Sequence, residues 1–164
     1  FAAKLEINNR RWRGVQFFVR SGKNLGQKQA VIHIRFKPVD CLLSKSCPSD
    51  SNYLTIRIEP NEGFSFELNS KTIRKGFEIE TVNMDYCHSC VHGQNTPEAY
   101  ETLLEQAIAG EQSVFVRNDE VELAWKIVDK IKTKDLPVYQ YPIGSIGPAE
   151  LASWNKKNNI TWKS

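Results

Sequence analysis

No apolar run in this chain of 164 residues approaches the ~20 that a helix needs to cross a bilayer, so no membrane is expected as a partner. The opening FAAKLEIN alternates like a strand and lacks the apolar core of a signal peptide. The first residue is Phe1 rather than Met, which suggests a chain cut from something longer. The glycine-rich dinucleotide fingerprint and the P-loop are both missing, so no segment is patterned to cradle a nucleotide's phosphates. Internal repeats and low-complexity tracts are also missing, and the length suits one ordinary domain, residues 1–164.

Cysteine is scarce, with Cys41, Cys47, Cys87 and Cys90 only. The run Cys87-His-Ser-Cys90-Val-His92 can be drawn as half of a zinc site. The matching half is lacking, because Cys41 and Cys47 lie six apart rather than three. A disulfide framework belongs to secreted chains, which nothing here suggests. The expected state is therefore reduced, incidental thiols in a cytoplasmic protein, with no metal.

What is present is ordinary in amount and uneven in placement. Hydrophobic residues make up 40% and charged residues 25%, as in globular proteins generally. Net charge is +3, yet residues 1–37 hold nine Lys/Arg against one Asp/Glu, and the remainder is net acidic. Such a local basic field attracts anions. It suits a solvated basic face, a nucleic-acid surface or a compact phosphate site. The sequence pI of 8.7 and the acidic remainder weigh against nucleic acid.

The first two-thirds is strand-like. In QAVIHIRFK, Ile32, Ile34 and Phe36 share one face, and Val31, His33 and Arg35 the other. In YLTIRIEP, Leu54, Ile56 and Ile58 oppose Tyr53, Thr55, Arg57 and Glu59, and Pro60 ends the run. FSFEL (64–68) and the stretch from Thr72 to Met84 read as further strands, with Pro60–Gly63 as a hairpin turn. Residues 37–52 read as a loop. This pattern predicts a mostly antiparallel sheet, packed on one side and partly wet on the other.

Helical spacing then takes over. Thr96 and Pro97 read as a helix start and Gly110 as its stop, with Tyr100, Leu103, Leu104, Ala107 and Ile108 as the buried stripe. SVFVR (113–117) reads as a strand. Asn118 reads as the cap of a second helix that buries Leu123, Ala124, Ile127, Val128 and Ile131. GSIGPAE (144–150) leads into a last short helix, with Pro148 near its start. Strands first and helices later predict an α+β fold, a large mostly antiparallel sheet with a few helices on it and at the C-terminus.

The segment FFVRSGKNLGQK (17–28) carries the most specific chemistry. It leaves an apolar strand and enters a loop with Gly22 and Gly26, which presents Lys23 and Lys28. Two flexible ammonium groups on such a loop suit a small dianion, such as a phosphate ester.

FAAKLEINNRRWRGVQFFVRSGKNL, YLTIRIEPNEG, TPEAYETLLEQAIAGEQSVFVRNDEVELAWKIVD and YPIGSIGPAEL stand in this order along nearly the whole chain. Together they resemble the C-terminal part of the glucose-6-phosphate dehydrogenase family. The resemblance implies a C-terminal substrate-binding domain over residues 1–164. The intact enzyme would oxidise glucose 6-phosphate to the lactone with NADP, the first step of the oxidative pentose phosphate pathway. It also implies that Lys23 and Lys28 contact the sugar phosphate. Family members carry a Rossmann coenzyme domain, a catalytic histidine and its partner aspartate upstream of this region. His33, His88 and His92 lie outside that catalytic motif. No catalytic residue is therefore assigned, this chain alone is expected to be inactive, and NADP is expected on the coenzyme domain rather than here.

Departures from the family pattern bear on the site. The family's Arg-x-Gln-Pro reads Arg57-Ile58-Glu59-Pro60 here, which makes Glu59 a further substrate-site candidate. Arg10 and Gln16 replace a common tryptophan and proline, as tolerated changes at the surface or a strand edge. Some relatives hold a second, structural NADP on basic residues of this domain. Arg20 and Arg57 match that set, whereas Gln29, His33 and Ile146 replace its cations, so no such nucleotide is expected. A homodimer through the sheet is expected from the resemblance alone. The competing readings are a basic α+β module for RNA or another polyanion, and a zinc-stabilised scaffold on Cys87, Cys90 and His92.

Overall fold

The computed structural model describes residues 1–38, 51–73, 78–93 and 99–163. They form two compact units, Phe1–His88 with Tyr139–Ser164, and Ser89–Val138.

The first unit holds every described strand. A two-stranded ribbon pairs β1 (Ala2–Glu6) with β2 (Gln16–Arg20). Its connection is closed by the Asn9 side chain, which accepts from the Trp12 amide at 2.8 Å, and by Gly14 at φ 80°. A four-stranded antiparallel meander follows, β3 (Ala30–Arg35), β4 (Tyr53–Glu59), β5 (Gly63–Lys71) and β6 (Ile79–Cys87). A register shift between Ala30 and Val31 places Ala30 opposite Glu59 and Val31 opposite Arg57. Such a bulge bends a strand and re-aims its side chains. The predicted hairpin at Pro60–Gly63 is present, with Arg57 facing Gly63. The strand expected from Thr72 to Met84 starts later and runs to Cys87. The predicted loop at 37–52 has residues 39–50 outside the described residues. α4 (Glu150–Asn158) follows Pro148 as expected, and Trp154 meets Phe18 of β2 edge-on.

Cross-strand partners share a face. The register therefore gathers Ile32, Ile34, Leu54, Ile56, Phe64, Phe66, Val82 and Met84 on one side. His33, Thr55, Ser65 and Asp85 lie on the other. The expected alternation holds, but the covered side is the polar one. Thr55 is 9% exposed, whereas Met84 is 59% exposed. The tail supplies the cover. Lys163 pairs with Glu67 and lies over the Tyr53 ring at 4.2 Å. His33 Nδ1 meets Thr55 Oγ1 at 3.0 Å. Burial, and then the charge of Lys163, hold the His33 imidazole below its ordinary pKa, against an opposing pull from Glu67. The real core that the chain length predicts is correspondingly small, since Leu151 is the one buried hydrophobic residue among the described residues. Among the described residues, Ile32, Phe64 and Met84 on the apolar sheet face stay 47%, 44% and 59% exposed.

The second unit is helical. α1 (His88–His92) follows β6, and α2 (Ala99–Ala109) ends at Gly110, whose φ of 72° suits glycine as predicted. The expected start at Thr96 and Pro97 lies outside the described residues. SVFVR is not a strand. Phe115 N donates to Gln112 O at 3.1 Å, closing a turn, and the Glu111 carboxylate accepts from the Ser113 amide at 2.9 Å. The segment has strand composition but no strand to pair with among the described residues, and β-propensity without a neighbour does not hold a strand. α3 (Asn118–Lys132) begins one residue earlier than a cap at Asn118 requires. Arg117 takes the cap position and makes no side-chain cap bond. The apolar stripes on both helices are largely exposed rather than buried, Ile108 at 88% and Leu123 at 58% among them.

Cys87 and Cys90 are each disulfide-bonded, which corrects the expectation of reduced thiols. A sulfur held in a disulfide offers no thiolate to a metal. Among the described residues no group of His, Cys, Asp and Glu is arranged to hold a metal ion. No described helix is long and apolar enough to cross a membrane.

Candidate anion-binding site

The loop between β2 and β3 presents the two candidate lysines, and a second segment of the same unit holds it. Tyr141 donates its hydroxyl to the Lys23 carbonyl at 2.8 Å. Gly144 N donates to Asn24 O at 2.9 Å, and Gly26 N donates to Ser145 O at 3.0 Å. The backbones approach so closely at Gly26 that a Cβ there would stand 2.8 Å from the Gly144 carbonyl oxygen. Asn24 turns the loop at φ 55°, a left-handed geometry that asparagine tolerates. The two loop glycines are thus required less for freedom than for proximity to residues 141–145.

Lys28 and Glu59, two separate candidates in the sequence, come together. Lys28 Nζ lies 2.7 Å from Glu59 Oε1. The hydrogen bond that Lys28 donates to Glu59, and then the charge of that carboxylate, raise the Lys28 pKa above its ordinary value. The bulge that pairs Ala30 with Glu59 brings the end of β4 beside the loop. The pair borders an open cleft of about 440 Å³, also lined by Gln27, Gln29, Arg57 and Pro60. Lys23 is exposed and forms no ion pair among the described residues. The structure therefore joins Lys28 to Glu59 and leaves Lys23 as the cation whose charge is not already paired.

Arg57 is committed elsewhere. Its Nη2 donates to Asp85 Oδ1 at 2.9 Å and to the Tyr86 carbonyl at 3.0 Å. Arg20 lies over the Trp162 ring at 4.9 Å. Neither arginine stands ready for a nucleotide phosphate, and Gln29 beside the cleft is uncharged. The described strands pair only antiparallel, so they form no βαβ unit to seat a dinucleotide. Among the described residues no cluster of uncommitted cations or parallel-sheet crevice is arranged to seat a nicotinamide coenzyme. The loop carries two cations, an exposed Lys23 and a Lys28 already paired with Glu59.

The family described as "Glucose-6-phosphate dehydrogenase, C-terminal domain" matches residues 1–163. The chain belongs to this family. Glucose-6-phosphate 1-dehydrogenase of Bacillus subtilis (strain 168) is 36% identical over 98% of this chain. Its counterpart in Borreliella burgdorferi is 37% identical over 99%. A solved structure of a glucose-6-phosphate dehydrogenase in complex with its substrate glucose 6-phosphate superposes with a TM-score of 0.82. It is 32% identical and covers 99% of this chain. The chain spans only 34% of the length of each of these three relatives. Membership bears out both the resemblance drawn from the sequence and the α+β fold class.

Sequence reasoning missed Tyr141. The YPIGSIGP segment served there as a family landmark and a helix lead-in. Its pairing with the lysine loop spans 118 residues, a separation that no local pattern reveals.

Proposed function

We propose that this chain is the substrate-holding C-terminal domain of an NADP-dependent glucose-6-phosphate dehydrogenase. Lys23, Lys28 and Glu59 form its phosphate and sugar grip. The observation that carries the reading is a backbone-pinned loop that bears an exposed Lys23 and places Lys28 beside Glu59 at an open cleft, in a chain of this family. The two ammonium groups neutralise the phosphate dianion, and Glu59 accepts from sugar hydroxyls. Holding the sugar in one orientation lowers the entropic barrier to hydride transfer from its C1. That transfer uses a coenzyme which this chain's residues do not seat, so the chain alone binds substrate and turns nothing over. The same reading pairs the chain with a second copy through the sheet, and the exposed face bearing Ile32, Phe64 and Met84 supports it.

Calorimetric titration with glucose 6-phosphate, glucose and a single-stranded RNA tests the reading. Saturable binding of the sugar phosphate and none of glucose is expected. Tighter binding of RNA, steeply salt-dependent and without preference for the sugar phosphate, would replace this reading with a polyanion module.

The internal Lys28–Glu59 pair sets a second expectation. A phosphate dianion must displace or tolerate the Glu59 carboxylate, which repels it. Glu59→Gln keeps the hydrogen-bonding shape and removes that charge. It is expected to tighten glucose 6-phosphate binding by about two- to five-fold, the scale of an exposed ion pair. Weaker binding by the variant would show that the carboxylate's sugar contacts outweigh its repulsion.

A further inference from the structure

We infer that Tyr141 is a positioning residue for the lysine grip. The inference rests on the function proposed above. Lysine side chains are flexible, so a lysine loop binds a small dianion well only if its backbone is fixed beforehand. In this chain three contacts fix it, all from residues 141–145. The Tyr141 hydroxyl holds the Lys23 carbonyl at 2.8 Å, and the Gly144 amide holds the Asn24 carbonyl at 2.9 Å. The Ser145 carbonyl holds the Gly26 amide at 3.0 Å. The last two are backbone bonds, available to any sequence that can approach so closely. Tyr141 makes the one bond that depends on a side chain, and it falls on Lys23 itself.

Further geometry supports the assignment. A Cβ added to Gly22 would lie 3.0 Å from the Tyr141 hydroxyl oxygen, so the phenol packs directly against the residue before Lys23. Fixing the carbonyls of Lys23 and Asn24 together fixes the peptide planes on both sides of Asn24, whose φ of 55° sets the turn. The direction in which Lys23 leaves the backbone is thereby set before any ligand arrives.

Tyr141→Phe removes the hydroxyl and keeps the ring, and Tyr139→Phe serves as control because the Tyr139 hydroxyl makes no hydrogen bond to the loop among the described residues. Amide hydrogen exchange by NMR on the full chain gives a readout that needs no ligand. Tyr141→Phe is expected to speed exchange at Gly26 by about three- to tenfold, the worth of one hydrogen bond, while Thr55 and Ile56 in β4 stay unchanged. Glucose 6-phosphate affinity should fall by a similar factor, and Tyr139→Phe should change neither. Unchanged Gly26 exchange in Tyr141→Phe overturns the inference, as does faster exchange spread evenly over the sheet, which marks a general stabilising role. If neither the parent chain nor the variant binds glucose 6-phosphate, the proposed function fails. The exchange result then still decides whether Tyr141 holds the loop.

Discussion

Replacing Lys23 and Lys28 together by Ala is expected to weaken glucose 6-phosphate binding about a hundredfold, with the fold intact. A hydrogen bond to a charged group contributes on the order of a tenfold change in affinity, and the double variant removes two cations from one dianion. The two losses should be unequal. Lys23 carries no ion pair among the described residues, so its full charge is available to the ligand. Lys28 stands 2.7 Å from Glu59 and is already partly neutralised. Lys23→Ala alone should therefore cost more than Lys28→Ala alone. In a Glu59→Gln background the Lys28→Ala loss should grow, because Lys28 then has no carboxylate to satisfy. That non-additivity is the signature of a shared network. Calorimetry on these variants measures it, with Lys4→Ala, a basic residue on β1 paired with Glu6, as control. Equal small losses for all three lysines would reduce the site to a diffuse basic field, and the polyanion reading would take its place.

The parts of this fold that were legible in sequence are those set by local chemistry. The two-residue period in QAVIHIRFK and YLTIRIEP marks β3 and β4. Pro60 through Gly63 marks the turn between β4 and β5, and Gly110 marks the end of α2. Each depends on neighbours only a few residues away. The misreadings have non-local causes. SVFVR has the composition of a strand, but a strand exists only where another can pair with it. The alternation in the sheet told which residues share a face and not which face is covered. The tail residue Lys163, far away in sequence, covers the polar one through Glu67 and Tyr53. Cysteine spacing likewise carried no information on oxidation state.

The candidate site divides the same way. Lys23 and Lys28 were visible because they sit in one short glycine-bearing loop, and Glu59 because it breaks a family pattern. That Lys28 and Glu59 touch follows from the register shift at Ala30, which no alternation pattern shows. Tyr141 was invisible, since its role exists only once two segments 118 residues apart are brought together.

Gly63→Ala is expected to cause the largest loss of stability of any single substitution considered, about 3 kcal/mol by the scale of overpacked contacts that force backbone to move. Gly63 opens β5 between two partners, Arg57 on β4 and Cys87 on β6. A Cβ at this position would stand 2.2 Å from the Tyr86 carbonyl oxygen and 3.1 Å from Arg57 Nη2. The oxygen is backbone and cannot swing aside, so β5 and β6 must separate at this end. Separation costs more than one contact. The Tyr86 carbonyl accepts from Arg57, and His88 N donates to Glu62 O at 2.9 Å just beyond. The turn that follows Glu59 is held by these bonds. Loosening it should also displace the carboxylate from Lys28, so the variant should bind phosphate with altered affinity while it is still folded. Gly14→Ala is the matched control. Gly14 has φ 80° and nothing within 4 Å of an added Cβ, so it carries only the left-handed backbone penalty of about 1 kcal/mol. Urea unfolding followed by far-ultraviolet circular dichroism compares the two. A Gly63→Ala midpoint no lower than that of Gly14→Ala would mean that the strands relax around the new methyl group, and the coupling from β6 through the turn to Glu59 would then be too soft to position the site.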